Sequence, residues 1–204
     1  MCNNNYVKNY IIRYLPVSEI RIYFKEIVKF ISEERREKME SYKDENDKLL
    51  SLGAAYFIHK YLKDEIYYND YNKPYSKNGF FNISHSLNYV VFIMCDYECG
   101  IDIEKRDKLN FKLVDYSFNN EIKSKIDSID SFNKYWTLKE ALAKSTGYGL
   151  SIDEIKNIPS QEGLIYYKDR YYKLKSMDLY GYKIGVSIET KEDYTLELIE
   201  EKII

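Results

Sequence analysis

The 204 residues of this chain contain only two histidines, one tryptophan and three cysteines, with three prolines and eight glycines. The cysteines, Cys2, Cys95 and Cys99, form an odd set and read as reduced thiols rather than bridges. Cys95 and Cys99 have no second pair and no spaced histidines, which argues against a zinc site. No Pro/Gly-rich linker divides the chain, so its parts are expected to pack as one unit. Neither sign of charge dominates: 31 Lys and Arg face 33 Asp and Glu, for a net charge of −2. Such a surface gives no field for gripping a nucleic-acid backbone, so no nucleic acid is expected as partner. The longest apolar run, Tyr89 to Cys95, is far too short to span a bilayer. The start, Met1-Cys2-Asn3-Asn4-Asn5, does not read as a signal peptide, and the expected setting is the cytoplasm with no membrane partner. Also missing are a G-x-x-x-x-G-K-[ST] loop, a complete dinucleotide fingerprint at Gly147-Tyr148-Gly149, and a G-x-S-x-G elbow.

The chain is long enough to bury a core without staples. Its 23 tyrosines, beside abundant Lys, Ile and Asn, are read as codon bias and carry no functional weight. A β-like opening, Tyr6 to Leu15, precedes a predicted helix with Ser18 as N-cap and Ile20, Phe24, Ile27 and Ile31 at helical spacing. Ser32 caps a second, charge-dense helical segment, by default a solvated face. Asp44 to Lys63 reads as a buried helix with Gly53 tolerated inside. Asn72-Lys73-Pro74 and Asn78-Gly79 are turn signals before predicted strands at Phe80 to Ser84, Tyr89 to Asp96 and Gly100 to Glu104. Helices are expected around Phe111 to Phe118 and from Phe132 to Thr146, closed by Gly147, and then strands. Among these, Leu164 to Leu174 reads as a hairpin turning at Lys168-Asp169-Arg170. Tyr182 to Ile188 faintly echoes Tyr89 to Cys95, a hint that two halves share a plan.

Two stretches carry most of the candidate chemistry. In Gly100-Ile101-Asp102-Ile103-Glu104 a strand would project both carboxylates from one face. They are either the wet face of a sheet edge or part of a hard-cation site, since Mg²⁺ takes oxygen ligands from a few carboxylates plus substrate phosphates. In Trp136-Thr137-Leu138-Lys139-Glu140-Ala141-Leu142-Ala143-Lys144, Glu140 and Lys144 lie one helical turn apart. Periodicity sets them opposite the stripe of Tyr135, Leu138 and Leu142, as an exposed ion pair, whereas Trp136 on their side suggests that something covers that face. In Phe81-Asn82-Ile83-Ser84-His85-Ser86, Ser84 and His85 could donate to phosphate oxygens or merely serve local hydrogen bonds. His59, on the apolar helix, reads as structural.

These segments resemble, in order, the F-N-x-S-H-S, G-[IV]-D-[IV]-E and W-[ST]-x-K-E-[AS]-x-x-K motifs of the Sfp-like 4′-phosphopantetheinyl transferases. Gly147-Tyr148-Gly149-Leu150 resembles the G-x-G-L that follows the third. The resemblance implies an α+β fold of two similar halves related by a pseudo-twofold axis, 1–104 and 105–204. Each half would hold a small, mainly antiparallel sheet with a long packed helix, the ligand cleft lying between them. It implies an enzyme that transfers the 4′-phosphopantetheine arm of coenzyme A to a serine of an apo carrier protein and releases 3′,5′-ADP. Mg²⁺, or Mn²⁺ in its place, would be held by Asp102, Glu104 and Glu140. Lys144 would contact the pyrophosphate, Ser84 and His85 the coenzyme's phosphates, Lys73 the nucleotide end, and Arg35 and Lys38 the 3′-phosphate. Lys48 stands where relatives commonly carry an arginine, and Lys cannot reproduce a bidentate fork. Asn72 replaces a frequent glycine and can also adopt left-handed backbone angles. Asp102, Glu140, Lys144 and His85 would form the catalytic set, with Glu140 as base and Glu121 as a further acidic candidate. Lys112, Lys123 and Lys125 are candidates for docking an acidic carrier, and a monomer is expected. The alternative is a non-catalytic coenzyme A or nucleotide-binding module of the same fold.

Overall fold

Strand β1 (Lys8–Pro16) alternates as expected, with Tyr10, Ile12 and Tyr14 buried on one face. The computed structural model describes residues 7–63, 66–150 and 154–203, so Tyr6 and Cys2 lie outside the described residues. Pro16 ends β1 and stands at the N-cap position of α1 (Val17–Ile22). The expected cap, Ser18, lies inside the first turn instead, and the Val17 N–H is satisfied by the Asn88 carbonyl at 2.8 Å. The single helix predicted from Ser18 to Ile31 is two: at Tyr23 the backbone departs to φ −99°, ψ 21°, and α2 (Phe24–Phe30) begins. Both pieces pack on α4 (Glu45–Leu62) and bury Ile20 and Ile27 completely. Between them and α4 lies α3 (Glu33–Ser41), capped by Ser32 and burying only Met39, so its charged face is solvated as read. Asp44 caps α4 by accepting from the N–H groups of Asn46 and Asp47.

A two-stranded ribbon, β2 (Tyr67–Tyr68) and β3 (Pro74–Tyr75), leads into β4 (Phe80–Ser86) and β5 (Tyr89–Cys95). Asn72, between the ribbon strands, takes φ 59°, the left-handed conformation that its short polar side chain tolerates. The first sheet has the order β10-β1-β5-β4, in which β10 (Tyr194–Glu200) joins β1 in parallel and the other pairs are antiparallel. The second sheet, all antiparallel, is ordered β6-β9-β8-β7, from β6 (Cys99–Glu104), β9 (Tyr182–Ile188), β8 (Arg170–Leu179) and β7 (Gly163–Tyr167). Lys168 and Asp169 make the β7–β8 turn with φ 48° and 62°. The stretch before these strands holds α5 (Phe111–Ser117), α6 (Asn120–Lys123) and α7 (Ile129–Thr146). Helix α7 starts three residues earlier than the apolar pattern suggested because Ser128 and Ser131 form a capping box, and Gly147 closes it at φ 76°.

The layers follow from the two faces of each strand. Val91 and Ile93 of β5 join Ile101, Ile103, Ile184 and Val186 in a core between the sheets, whereas Val90 and Phe92 face α4. Burial on both faces explains why Tyr89 to Cys95 reads as a continuous apolar run. On the second sheet Gly100 and Gly185 face α7, and no other residue fits: a Cβ on Gly100 would sit 2.0 Å from the Ala141 carbonyl oxygen, one on Gly185 2.4 Å from that of Thr137. The backbone of α7 thus lies directly on β6 and β9, which brings Glu140 and Lys144 over the end of β6. Cys95 and Cys99 are buried and unbridged. Among the described residues no helix is long and apolar enough to cross a membrane.

Gly100→Ala is expected to destabilise the fold by about 3 kcal/mol by prising α7 from the sheet. Urea unfolding checks this, and a loss under about 1 kcal/mol contradicts the close approach.

Candidate active site

The edge strand of the first sheet, β4, meets the edge strand of the second, β6, and polar side chains stitch the junction. Asn82 Oδ1 accepts the Ile101 N–H at 2.9 Å, and the Ser84 hydroxyl donates to Asp102 Oδ1 at 2.9 Å. From α7 the Lys144 ammonium donates to Asp102 Oδ1 at 2.6 Å, to the Ser84 hydroxyl at 3.0 Å and to the Ile101 carbonyl at 3.2 Å. Asp102 is 6% exposed, and its second oxygen, Oδ2, is buried with no hydrogen-bond partner.

Asp102, Glu104, Glu140, Lys144, Ser84 and His85 line one cavity of about 330 Å³. Glu140 is half-buried there, not the exposed ion-pair partner that periodicity drew, because β6 and β4 cover its face of the helix. Lys144 pairs with Asp102 instead. Burial, helped by the Asp102 and Glu104 charges and opposed by Lys144 and Arg106, pushes the Glu140 carboxyl up to about 7. Glu104 is raised by burial too, against Arg106, whose Nε lies 3.5 Å from its carboxylate. His85 is open to the cavity yet hemmed in by protein, and this packing and then the Lys144 charge lower its pKa.

Among the described residues no three His, Cys, Asp or Glu side chains stand close enough to hold a metal ion as placed. The three carboxylates line one cavity without meeting at a common centre. The donor set nevertheless fits a hard divalent cation, being all oxygen and including the orphaned Asp102 Oδ2.

A second cavity, of about 400 Å³, shares His85 and Lys144 with the first and is lined further along by Arg35, Lys38 and Lys73. The Lys73 ammonium is held by Glu98 and by the Ser145 carbonyl at 2.7 Å, and the Arg35 guanidinium donates to the Tyr68 hydroxyl at 2.9 Å.

A family model described as the 4′-phosphopantetheinyl transferase superfamily matches residues 98–195. The chain is 30% identical over 138 residues to the 4′-phosphopantetheinyl transferase gsp of Aneurinibacillus migulanus, covering 60% of this chain and 58% of that protein. It is 28% identical over 144 residues to the transferase ffp of Bacillus subtilis, covering 62% and 64%. Against the transferase Sfp of Bacillus subtilis (strain 168) the identity is 27% over 201 residues, covering 84% and 89%. Over these spans the chain is similar to 4′-phosphopantetheinyl transferases. Its match thus spans somewhat less than two thirds of the length of the first two of these relatives.

Two expected residues lie apart from both cavities. Lys48 lines a separate groove with Arg21 and Glu45; six residues before Ala54, which lines the larger cavity, it points about 240° around the helix from it. Glu121 is exposed on α6 and pairs with Lys125. One charged cavity residue went unforeseen: Arg106 packs its guanidinium 5.4 Å from the Trp136 ring centroid and 5.8 Å from that of Phe132. The signal was present, since 106 continues the alternation of 102 and 104.

Lys139 of the third motif does other work. It is 1% exposed and donates to the carbonyls of Ile155 and Ile158 at 2.6 Å each, tying the segment after α7 to the helix. Burial pulls its pKa from 10.5 down to about 7, with the Glu140 charge acting the other way. The folded state therefore binds this proton less tightly than the unfolded state. The resulting stabilisation is complete above pH 10.5 and is lost as pH falls toward about 7. Lys139→Met is expected to cost about 2 kcal/mol through the unpaired carbonyls. The wild-type advantage should widen as pH rises from about 7 to about 9. Urea unfolding across that range checks it, and a constant or shrinking gap contradicts it.

Proposed function

We propose that the chain transfers the 4′-phosphopantetheine arm of coenzyme A to a serine of an apo carrier protein, in a divalent-metal-dependent reaction. The observation that carries this reading is the buried Asp102 with one oxygen held and the other without a hydrogen-bond partner. It stands in a cavity with Glu104 and Glu140, beside a basic cavity reached across Lys144 and His85. The relatives' names and the three ordered motifs agree with it.

In this reading the nucleotide end lies toward Arg35, Lys38 and Lys73, and the diphosphate lies at the wall the two cavities share. Lys144 and His85 face it there and offset charge on its oxygens. The acceptor serine comes from the side of the smaller cavity. Its oxygen forms a new bond to the phosphorus that bears the pantetheine arm, the bond from that phosphorus to the bridging oxygen breaks, and 3′,5′-ADP leaves with the electron pair. Glu140 takes the serine proton. Asp102, Glu104 and Glu140 would hold Mg²⁺ or Mn²⁺, which when bound supplies Lewis-acid stabilisation of the phosphate oxygens. The carrier would dock near α5 and α6, where Lys112 is exposed, whereas Lys123 and Lys125 pair with Asp115 and Glu121.

We also read the chain as two halves, 1–104 and 105–204, related by a pseudo-twofold axis with the cleft between them. The antiparallel pairs β4–β5 and β8–β9, one from each half, each in a sheet with a long helix on its outer face, support this plan. In it the halves exchange strands, β6 passing to the second sheet and β10 to the first.

The test is incubation with coenzyme A, Mg²⁺ and a panel of apo carrier proteins, followed by mass spectrometry of the carriers. Gain of one phosphopantetheine arm is expected, abolished by chelator and by Asp102→Ala. Glu140→Gln should slow transfer by about 10²-fold or more, and full turnover in that variant removes the base assignment. Coenzyme binding without transfer to any carrier contradicts the transferase reading and favours a binding module.

A further inference from the structure

We propose that Ser84 is a positioning residue that fixes Asp102 for the metal ion, rather than a ligand of the coenzyme's phosphates. The inference rests on the transferase reading above and assigns one side chain of that site a different task. A hydroxyl has one proton to give. The Ser84 proton goes to Asp102 Oδ1 at 2.9 Å, and its oxygen accepts from Lys144 at 3.0 Å. Ser84 is only 6% exposed, so to donate to a phosphate it would have to leave a buried carboxylate oxygen. Its neighbour His85 stands on the opposite face of β4, exposed, and lines both cavities. Of the two, His85 is the one placed to meet phosphate.

Around Asp102 the arrangement is asymmetric. Oδ1 receives the Ser84 and Lys144 protons, whereas Oδ2 is buried and receives none. Two donors on one oxygen fix the rotation of the carboxylate and leave the other oxygen for a cation, as supporting hydrogen bonds around metal ligands commonly do. Asn82, two residues earlier on the same face of β4, holds the Ile101 N–H, so the strand beneath Asp102 is pinned independently of Ser84. Loss of the Ser84 hydroxyl therefore frees the side chain of Asp102 without freeing its backbone.

The test compares wild type with Ser84→Ala and Ser84→Thr by two titrations. Free Mn²⁺ is followed by electron paramagnetic resonance without coenzyme, and coenzyme A binding is followed calorimetrically in EDTA. Ser84→Ala is expected to weaken Mn²⁺ binding by about 10-fold to 100-fold while coenzyme affinity in EDTA changes by about twofold or less. Ser84→Thr, which keeps the hydroxyl, should restore Mn²⁺ affinity to within about threefold of wild type. Should the alanine variant fail to fold, Ser84→Cys, a weak donor of similar volume, is held to the same expectation. Unchanged Mn²⁺ affinity, or a loss of about tenfold or more in coenzyme affinity in EDTA, overturns the proposal. Wild type that binds Mn²⁺ and transfers the arm while Ser84→Ala binds Mn²⁺ equally well overturns the Ser84 role alone. Wild type that binds no Mn²⁺ overturns both this role and the metal-dependent reading.

Discussion

Everything at the site depends on how closely α7 lies on β6. Because Gly100 and Gly185 carry no side chain, helix backbone rests on sheet backbone, and Glu140 and Lys144 come down at the end of the strand that carries Asp102 and Glu104. Residues about forty apart in sequence thereby share a cavity. The same closeness sets the electrostatics. The Lys144–Asp102 contact of 2.6 Å pairs one carboxylate, and losing Lys144 would leave the buried Asp102 uncompensated, while a third carboxylate, Glu140, is left without an equal partner. Burial first, and then the Asp102 charge, raise the pKa of Glu140.

The second constraint is the meeting of two sheet edges. Exposed edges invite unwanted pairing. Here β4 and β6 cover one another through Asn82 and Ser84 on one side and Ile101 and Asp102 on the other. The edge is thus protected by the polar contacts that orient the candidate ligand. At the far end of the molecule β10 pairs in parallel with β1, and buried Glu201 gathers Arg13, Lys60 and Tyr61 around its carboxylate. The end of the described chain is held against the first sheet and α4, although only five residues separate β10 from β9 of the second sheet.

How much of this could be read from residues alone varies with the kind of contact. The α+β class, α4 with its Asp44 cap, α7 with Gly147 and the β7–β8 hairpin all rest on local periodicity and turn chemistry, and all are present. The break at Tyr23 has no glycine or proline to announce it, and Pro16 displaced Ser18 at the start of α1 because the Asn88 carbonyl, distant in sequence, takes the Val17 N–H. The Glu140–Lys144 face was misjudged by helical periodicity because no wheel shows the strands that cover it. Lys139, one residue from Glu140, is a buried tether, and Arg106, outside every motif, lines the cavity. The motif sets Ser84 and His85 side by side, and the fold separates Ser84, turned inward to Asp102, from His85, turned outward to the cavity.

The central claim is that Asp102, Glu104 and Glu140 together hold one divalent ion. The most direct measurement is an anomalous difference map from crystals grown with coenzyme A and Mn²⁺. The account predicts a single strong peak in the cavity lined by these three carboxylates, with Asp102 Oδ2 among its ligands. A peak elsewhere, or a Glu140 side chain turned away from the ion and from the diphosphate, would contradict it.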